Sequence, residues 1–217
     1  MDDNQCNFAS SEQIKSNTNY MTIKRYRQAS YATSAHTLDQ LMPDEGREVA
    51  FAGRSNSGKS SVINALTGQK RLAKISKTPG RTQLINFFPV DDNNRLVDLP
   101  GYGYAKVPAK VQAHWAQTLG QYFQQRQSLV GVVLIVDVRR LLTEFDEQML
   151  SSCETAGLPV HVLLNKSDKL AFGARKQSLA QVEKLFVESS HSVQLFSVLK
   201  KSGIDELATV LDHWLIE

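Results

Sequence analysis

The stretch that decides the fold is Gly53-Arg-Ser-Asn-Ser-Gly-Lys-Ser60, which fits the pattern G-x-x-x-x-G-K-[ST]. It follows a short apolar run, Glu48 to Ala52, and it precedes a helical pattern from Lys59 to Leu66. A strand before the loop and a helix after it are the context that this pattern needs. The glycines let the backbone curl until successive N–H groups face phosphate oxygens, and the helix dipole adds positive charge. The loop therefore predicts a site for a purine nucleoside triphosphate, and by itself it does not separate ATP from GTP.

Strand and helix patterns alternate along the rest of the chain. The predicted strands are Glu48 to Ala52, Leu84 to Val90, Arg95 to Leu99, Leu129 to Val136, Pro159 to Leu164 and Val193 to Ser197. A short segment, Arg27 to Ala35, also has some strand character. The predicted helices are Lys59 to Leu66, Pro108 to Arg126, Thr143 to Thr155, Arg175 to Val187 and Ile204 to Ile216. We therefore expect a three-layer α/β fold, in which helices cover both faces of a mostly parallel sheet with one antiparallel edge strand. In such sheets the ligand binds at the carboxyl ends of the strands.

Length and composition favour one globular domain. The chain has 217 residues, of which 41% are hydrophobic and 22% charged, and its net charge is +3. No apolar run approaches the ~20 residues that a bilayer span needs, and the polar start does not resemble a secretory signal. Two cysteines, Cys6 and Cys153, cannot build a disulfide framework. We expect a cytoplasmic protein with a disordered polar tail over residues 1–20 and a single domain over residues 21–217.

A second motif, Asp98-Leu-Pro-Gly101, ends the return strand of the predicted hairpin. An aspartate in this place can hold Mg²⁺ through a water molecule, and the N–H of Gly101 can donate to the γ-phosphate. The motif is short, and its position after the phosphate loop and at the end of a strand is what makes it informative.

The charged phosphates and the metal ion need further groups. Lys59 would reach the β- and γ-phosphates, and the hydroxyl of Ser60 would bind Mg²⁺. The segment Lys77-Thr-Pro-Gly-Arg-Thr82 offers Thr78 and Thr82 as a second magnesium ligand. Spacing alone leaves both threonines open.

A third motif, Asn165-Lys-Ser-Asp168, predicts recognition of guanine. An ionised carboxylate only accepts hydrogen bonds, and guanine presents two adjacent donors, N1–H and the N2 amine. Adenine presents an acceptor at N1, so Asp168 would reject it. Lys166 can lay its methylene stem on the base, and Asn165 can tie this loop to the phosphate loop. Backbone N–H groups of Ser197 to Leu199 can then close over the base.

Together the motifs resemble the EngB (YihA/YsxC) family of bacterial ribosome-biogenesis GTP-binding proteins, among the translation-factor-like P-loop GTPases. The residues that carry the resemblance are Gly53 to Ser61, Lys77 to Gln83, Asp98-Leu-Pro-Gly-Tyr-Gly-Tyr-Ala105 and Asn165 to Asp168. The resemblance implies a six-stranded mixed sheet with about five helices. It also implies that Thr82, rather than Thr78, is the magnesium ligand, beside Ser60 and, through water, Asp98.

The resemblance further implies a nucleotide-gated assembly factor for the large ribosomal subunit and its rRNA, needed for normal cell division and septation. Lys59, Thr82 and Gly101 are the candidate catalytic residues. The candidate GTP-binding residues are Gly53, Arg54, Ser55, Asn56, Ser57, Gly58, Lys59, Ser60, Ser61, Gly80, Arg81, Thr82, Gln83, Leu84, Asp98, Leu99, Pro100, Gly101, Asn165, Lys166, Ser167, Asp168, Phe196, Ser197 and Val198.

The sequence lacks the glutamine that assists hydrolysis in Ras-like proteins. Ras-like proteins carry a glutamine directly after the glycine of the second motif, where it orients the attacking water, and this chain has Tyr102. We therefore expect slow intrinsic turnover that a partner raises, and a non-catalytic GTP-dependent scaffold with a different partner is the alternative.

A potassium ion near Asn56 is a further hypothesis. The basic segment Gln69 to Arg81 is a candidate rRNA contact gated by the nucleotide. We expect a monomer with no membrane contact.

Overall fold

Seven strands form one sheet in the computed structural model, which describes residues 23–74, 84–103 and 109–216. The longest, Leu129–Asp137, is rich in β-branched residues and buried on both faces, as a central parallel strand must be. The strands are β1 Thr33–Ala35, β2 Arg47–Gly53, β3 Ile85–Pro89, β4 Asn94–Asp98, β5 Leu129–Asp137, β6 Val160–Asn165 and β7 Ser192–Leu195. The order across the sheet is β1-β3-β4-β2-β5-β6-β7.

Helices lie on both faces of this sheet. They are α1 Lys59–Thr67, α2 Ala109–Gln125, α3 Glu144–Thr155, α4 Phe172–Glu183 and α5 Ile204–Ile216, and residues 23–26 are also helical. One apolar cluster joins the sheet to α2, α3 and α4 through residues such as Phe123, Met149 and Val182. The other joins it to α1 and α5 through residues such as Ile63 and Leu211. The predicted three-layer α/β class is confirmed.

The number of strands differs from the expectation, because the sheet has seven strands rather than six. The additional strand, β1, pairs with β3 in antiparallel register, with Thr33 opposite Phe87. β3 is also antiparallel to β4 on its other side, so it is the second strand from the edge rather than the edge strand. A strand of three residues is too short for an alternating pattern, and it forms because β3 offers it a hydrogen-bonding edge.

A buried ionic cluster lies at the amino end of β2, opposite the end that carries the phosphate loop. The Glu48 side chain is fully buried, and its carboxylate lies 2.9 Å from Arg95 Nε and 2.5 Å from Arg126 Nη2. The hydroxyl of Tyr122 donates to the same carboxylate at 3.0 Å. Burial and the Glu48 carboxylate raise the pKa of Tyr122 well above its ordinary value. We call these four residues the Glu48 cluster; it links β2, β4 and α2.

In β6, the imidazole of His161 is buried, and both of its ring nitrogens have hydrogen-bond partners. Ring atom Nε2 faces Gln194 Oε1, which only accepts, at 2.8 Å, and Nδ1 lies 2.7 Å from the hydroxyl of Ser192. Burial lowers the pKa of His161 below its ordinary value, as it also does for His191.

Acidification should therefore destabilise the fold before the carboxylates titrate. The unfolded chain binds a proton at position 161 near pH 6.5, and the native ring resists it, so stability falls as the pH drops below that value. Between about pH 7.5 and pH 5.5 we expect a loss of up to about 1.4 kcal/mol from His161. Urea unfolding of the wild type and of His161→Gln at both pH values measures it. An equal pH dependence in the two proteins would contradict the prediction, and Asp92→Asn, an exposed substitution that keeps both His161 and His191, is the control.

Within the described ranges, no helix combines the length and the apolar character that crossing a bilayer demands.

The parallel strands bring the polar motifs to one edge of the sheet. β2 and β4 run parallel with Phe51 opposite Asp98, and β5 and β6 run parallel with Asp137 opposite Asn165. The motif loops therefore meet where the strands end.

Candidate functional site

The phosphate loop turns from the end of β2 into the start of α1. Asn56 and Gly58 take positive φ angles of 67° and 104°. A Cβ atom added to Gly58 would lie only 2.4 Å from Asn165 Nδ2. Glycine is therefore needed at position 58 both for the backbone angle and for the close approach of another loop. The strand–loop–helix context that the sequence predicted is present.

Lys59 and Asp98 form an ion pair at this edge of the sheet. Lys59 begins α1, Asp98 ends β4, and the two side chains are only 11% and 5% exposed. The first two motifs are therefore in direct contact. A lysine and a carboxylate beside a phosphate loop are the charges that a nucleotide and a divalent cation require.

The segment after β4 packs against the phosphate loop. The N–H of Ser55 donates to the carbonyl of Tyr102 at 2.9 Å. A Cβ atom added to Gly101 would meet the Ser55 backbone at 3.4 Å, the near limit of ordinary van der Waals contact. The backbone of Leu99 to Gly101 therefore runs beside the loop, where the Gly101 N–H was expected to meet the γ-phosphate.

Asn165 ties the third motif to the phosphate loop. Its side chain is buried, and Nδ2 donates to the carbonyl of Ser57 at 2.9 Å. Oδ1 accepts from the N–H of Lys166 at 2.7 Å. This is the link that the sequence analysis expected, and it spans 108 positions of the chain.

The side chain of Lys166 lies across the phosphate loop. Its ammonium donates to the Asn56 carbonyl at 2.7 Å and to Asp137 Oδ2 at 3.0 Å. Arg139 donates to the Asp137 carboxylate at 2.9 and 2.7 Å. Arg139 first, and Lys166 after it, hold the pKa of Asp137 well below its usual range. The methylene stem of Lys166 is thereby fixed beside Gly58.

Asp168 is oriented by the loop that follows β7. The hydroxyl of Ser197 donates to Asp168 Oδ1 at 2.5 Å, and this bond lowers the pKa of Asp168 below its ordinary value. The N–H of Ser167 donates to the carbonyl of Phe196 at 3.0 Å. An ionised carboxylate therefore sits on a braced loop, with Val198 directly after the serine that holds it.

A family model described as "50S ribosome-binding GTPase" matches residues 48–166. A protein of Nitrosococcus oceani named "Probable GTP-binding protein EngB" is 57% identical over 192 residues, which cover 88% of this chain and 96% of that protein. The chain belongs to the EngB family of GTP-binding proteins. It is accordingly a P-loop GTPase, an enzyme that hydrolyses GTP, and membership favours the enzyme over the non-catalytic scaffold.

Solved structures agree with the EngB fold. One described as a probable GTP-binding protein engB has a TM-score of 0.59 and 23% identity, over 77% of this chain and 98% of that chain. Another, Era in complex with MgGDPNP and nucleotides 1506–1542 of 16S ribosomal RNA, has a TM-score of 0.62 and 23% identity. That match covers 80% of this chain and 58% of the Era chain.

Tyr102 of this EngB-family chain is engaged by α3. Its hydroxyl donates to Asp146 Oδ1 at 2.7 Å, and Asp146 Oδ2 accepts from the N–H and the hydroxyl of Thr143 at the start of that helix. Burial and the Asp146 carboxylate raise the pKa of Tyr102 well above its ordinary value. The phenol therefore serves the packing of α3.

Removing this hydroxyl should affect stability rather than hydrolysis. Tyr102→Phe should lower the free energy of unfolding by about 1–2 kcal/mol, because Asp146 loses a charge-assisted hydrogen bond. The single-turnover rate of GTP hydrolysis should stay within about twofold of the wild-type rate. A loss of about tenfold in that rate, at full nucleotide occupancy, would instead give the phenol a role in the reaction.

The predicted site residues are not all described. Gly80, Arg81, Thr82 and Gln83, together with Thr78, lie outside the described residues, and Leu84 directly precedes β3. Sequence reasoning also missed Asp137, which anchors Lys166. A carboxylate at the end of a buried strand, beside the strand that carries Asn165, was the available signal.

Proposed function

We propose that this site binds GTP and hydrolyses it with Mg²⁺, and that the nucleotide gates an assembly step of the large ribosomal subunit. The observation that carries the proposal is the direct contact of the phosphate loop with the other two motifs, through Lys59 to Asp98 and Ser57 to Asn165. Ser197, in the loop after β7, hydrogen-bonds to Asp168 at the same edge of the sheet.

In this proposal the phosphates lie over the loop from Gly53 to Ser61, with Lys59 and the Gly101 N–H on the terminal phosphate. Guanine lies against Lys166, with its two donors on Asp168 and with backbone contacts from Ser197 and Val198. Arg54, Leu99, Pro100, Ser167 and Phe196 line the same loops. The residues of the first switch, Gly80 to Leu84, complete the site.

The donor set suits magnesium. The hydroxyl of Ser60 and the carboxylate of Asp98 offer oxygen, which is what Mg²⁺ prefers, and magnesium at nucleotides is held by few protein ligands. Ser60 and Thr82 would bind the ion directly and Asp98 through water. When bound, the ion neutralises charge that builds up on the phosphates during transfer. Lys59 adds a fixed positive charge, and the loop N–H groups orient the phosphate oxygens.

Intrinsic turnover is slow in this proposal. The engagement of Tyr102 by Asp146 supports this, since position 102 then offers no group that orients the attacking water. Single-turnover hydrolysis with and without large subunits tests it, and a fast rate for the isolated protein would contradict it.

Potassium is a further hypothesis for the same loop. A K⁺ ion near Asn56 would add positive charge beside the phosphates. Arg54 and Arg81 are the alternative cations. Hydrolysis rates that are equal in K⁺ and Na⁺ buffers of the same ionic strength would exclude the ion.

The proposed partner is the large ribosomal subunit, contacted in part by the basic segment Gln69 to Arg81. The description of the matching family model, a 50S ribosome-binding GTPase, supports this partner. The protein would act as a cytoplasmic monomer without membrane contact. The link to cell division and septation rests on the family resemblance.

Co-sedimentation with purified large subunits tests the partner. We expect binding that is stronger with a non-hydrolysable GTP analogue than with GDP, and that weakens as salt rises. Sedimentation that is absent with both nucleotides would contradict a ribosomal role while leaving the GTPase assignment intact.

A further inference from the structure

Tyr31 is an exposed aromatic residue that is nevertheless held in place. Its side chain is 57% exposed, and its ring meets Phe88 edge-on with centroids 6.3 Å apart. Its hydroxyl lies 2.9 Å from Ser34 Oγ. The N–H groups of the residues on either side donate to carbonyls of β3 at 3.1 and 3.0 Å. One ring is thus fixed at the surface with much of its area open to solvent.

An open groove of about 620 Å³ lies beside this ring. We call it the Tyr31 groove; it is lined by Tyr31, Gln69, Lys70, Arg71 and Leu72. It lies between the segment that leads into β1 and the segment that follows α1, and these five residues take no part in the described contacts between the motif loops.

Side-chain hydrogen bonds hold both walls of the groove. Gln69 Nε2 donates to the carbonyl of Ala29 at 2.6 Å and so joins the two walls. Buried Asn64 accepts from the N–H of Ala73 at 2.8 Å and donates to its carbonyl at 2.9 Å. The groove is therefore formed in advance, and a ligand would not have to order it.

The charge around the groove is positive. Lys70, Arg71, Arg27 and Lys74 are exposed, and within the described part of the chain none of them has a carboxylate partner. The acidic residue Asp91, on the β3–β4 turn, is held by Arg25 at 2.6 Å. A ligand for this surface should therefore be an anion with a flat apolar face.

We infer that the Tyr31 groove binds single-stranded RNA, with one base stacked on Tyr31 and neighbouring phosphates on Lys70 and Arg71. Stacking on an aromatic ring needs a base face that is not already covered, so an unpaired strand fits and a duplex does not. The inference deepens the proposed function, on which it rests, because it names the form of RNA that the basic surface takes.

Fluorescence anisotropy with a short labelled RNA of mixed sequence tests the stacking. Tyr31→Ala should weaken binding by about 5- to 150-fold, the range for loss of one stacked base. Tyr31→Phe keeps the ring and should stay within about twofold of the wild type. The matched control is Phe172→Ala, since Phe172 is 70% exposed and carries Lys176 at 4.9 Å from its ring centre. The RNA affinity of Phe172→Ala should equal that of the wild type.

The charge is tested separately. Lys70→Ala and Arg71→Ala should each weaken binding to all sequences and should each lower the slope of log affinity against log salt by about one. Tyr31→Ala should leave that slope unchanged.

Three results would overturn the inference: equal affinity of Tyr31→Ala and the wild type, equal affinity for a duplex of the same length, or competition by polyglutamate as strong as by unlabelled RNA. Co-sedimentation separates this inference from the proposed function. If Tyr31→Ala has a lower RNA affinity but the wild type does not bind large subunits, RNA binding at the Tyr31 groove is supported and the ribosomal role is contradicted. If the wild type binds large subunits but Tyr31→Ala has an unchanged RNA affinity, the ribosomal role is supported and RNA binding at the Tyr31 groove is contradicted.

Discussion

Replacing Asp168 by asparagine should lower the affinity for GTP by at least about 100-fold, and the lost affinity should reappear for xanthosine triphosphate. The carboxylate offers two acceptors to the two donors of guanine. The amide of asparagine offers one acceptor and one donor, so one donor of guanine meets a donor. Xanthine carries an oxygen where guanine has its amine, and it therefore matches the amide.

The geometry around Asp168 makes this substitution specific. Ser197 donates to Oδ1, and the oxygen of an asparagine accepts the same bond, so the loop should keep its shape. Titration with fluorescent GTP and XTP analogues gives both affinities. The matched control is Asp92→Asn, an exposed carboxylate in the β3–β4 turn, which should bind GTP like the wild type. A loss of less than about threefold in Asp168→Asn would contradict the assignment of the guanine contact.

Replacing Glu48 by glutamine should lower the free energy of unfolding by about 3–5 kcal/mol. The substitution keeps the shape of the side chain and removes the negative charge shared by Arg95 and Arg126. Both arginines are about nine-tenths buried, so water cannot replace the lost partner. Among the described residues, Asp44, 3.5 Å from Arg126 Nε, is the one carboxylate that remains paired with the cluster.

Urea unfolding measures this loss, and Asp92→Asn should stay within about 0.5 kcal/mol of the wild type. The Glu48 cluster lies at the end of the sheet opposite the motif loops. The protein that remains folded should therefore bind GTP with unchanged affinity. A change of less than about 1 kcal/mol in Glu48→Gln would show that the arginines do not need the carboxylate.

The sequence predicted those parts of the molecule whose residues are close in the chain or end neighbouring parallel strands. The phosphate loop is one continuous segment, and Asp98 and Asn165 each end a strand at the edge of the sheet where this loop lies. The contact of each residue with the loop therefore follows from the topology. The resulting contacts, from Lys59 to Asp98 and from Asn165 to Ser57, are present.

The features that the sequence did not predict depend on distant partners. The pattern over Arg27 to Ala35 has only some strand character, and pairing with β3 defines the three residues of β1 within it. The Glu48 cluster joins residues 48, 95, 122 and 126, which share no local pattern. The engagement of Tyr102 likewise depends on Asp146, 44 positions away, and the residue at 102 alone gave no sign of it.

The bond from Asn165 to Ser57 has a consequence for nucleotide exchange. In the proposed binding mode the phosphates lie on the loop that contains Ser57 and the base lies on the loop that contains Asn165, so this bond would couple the two ends of a bound nucleotide through the protein. Loss of this hydrogen bond would therefore weaken the contacts to both ends of the nucleotide. A factor that promotes nucleotide exchange would therefore need to disturb only the bond from Asn165 to Ser57. It would not need to break the contacts to the base and to the phosphates separately.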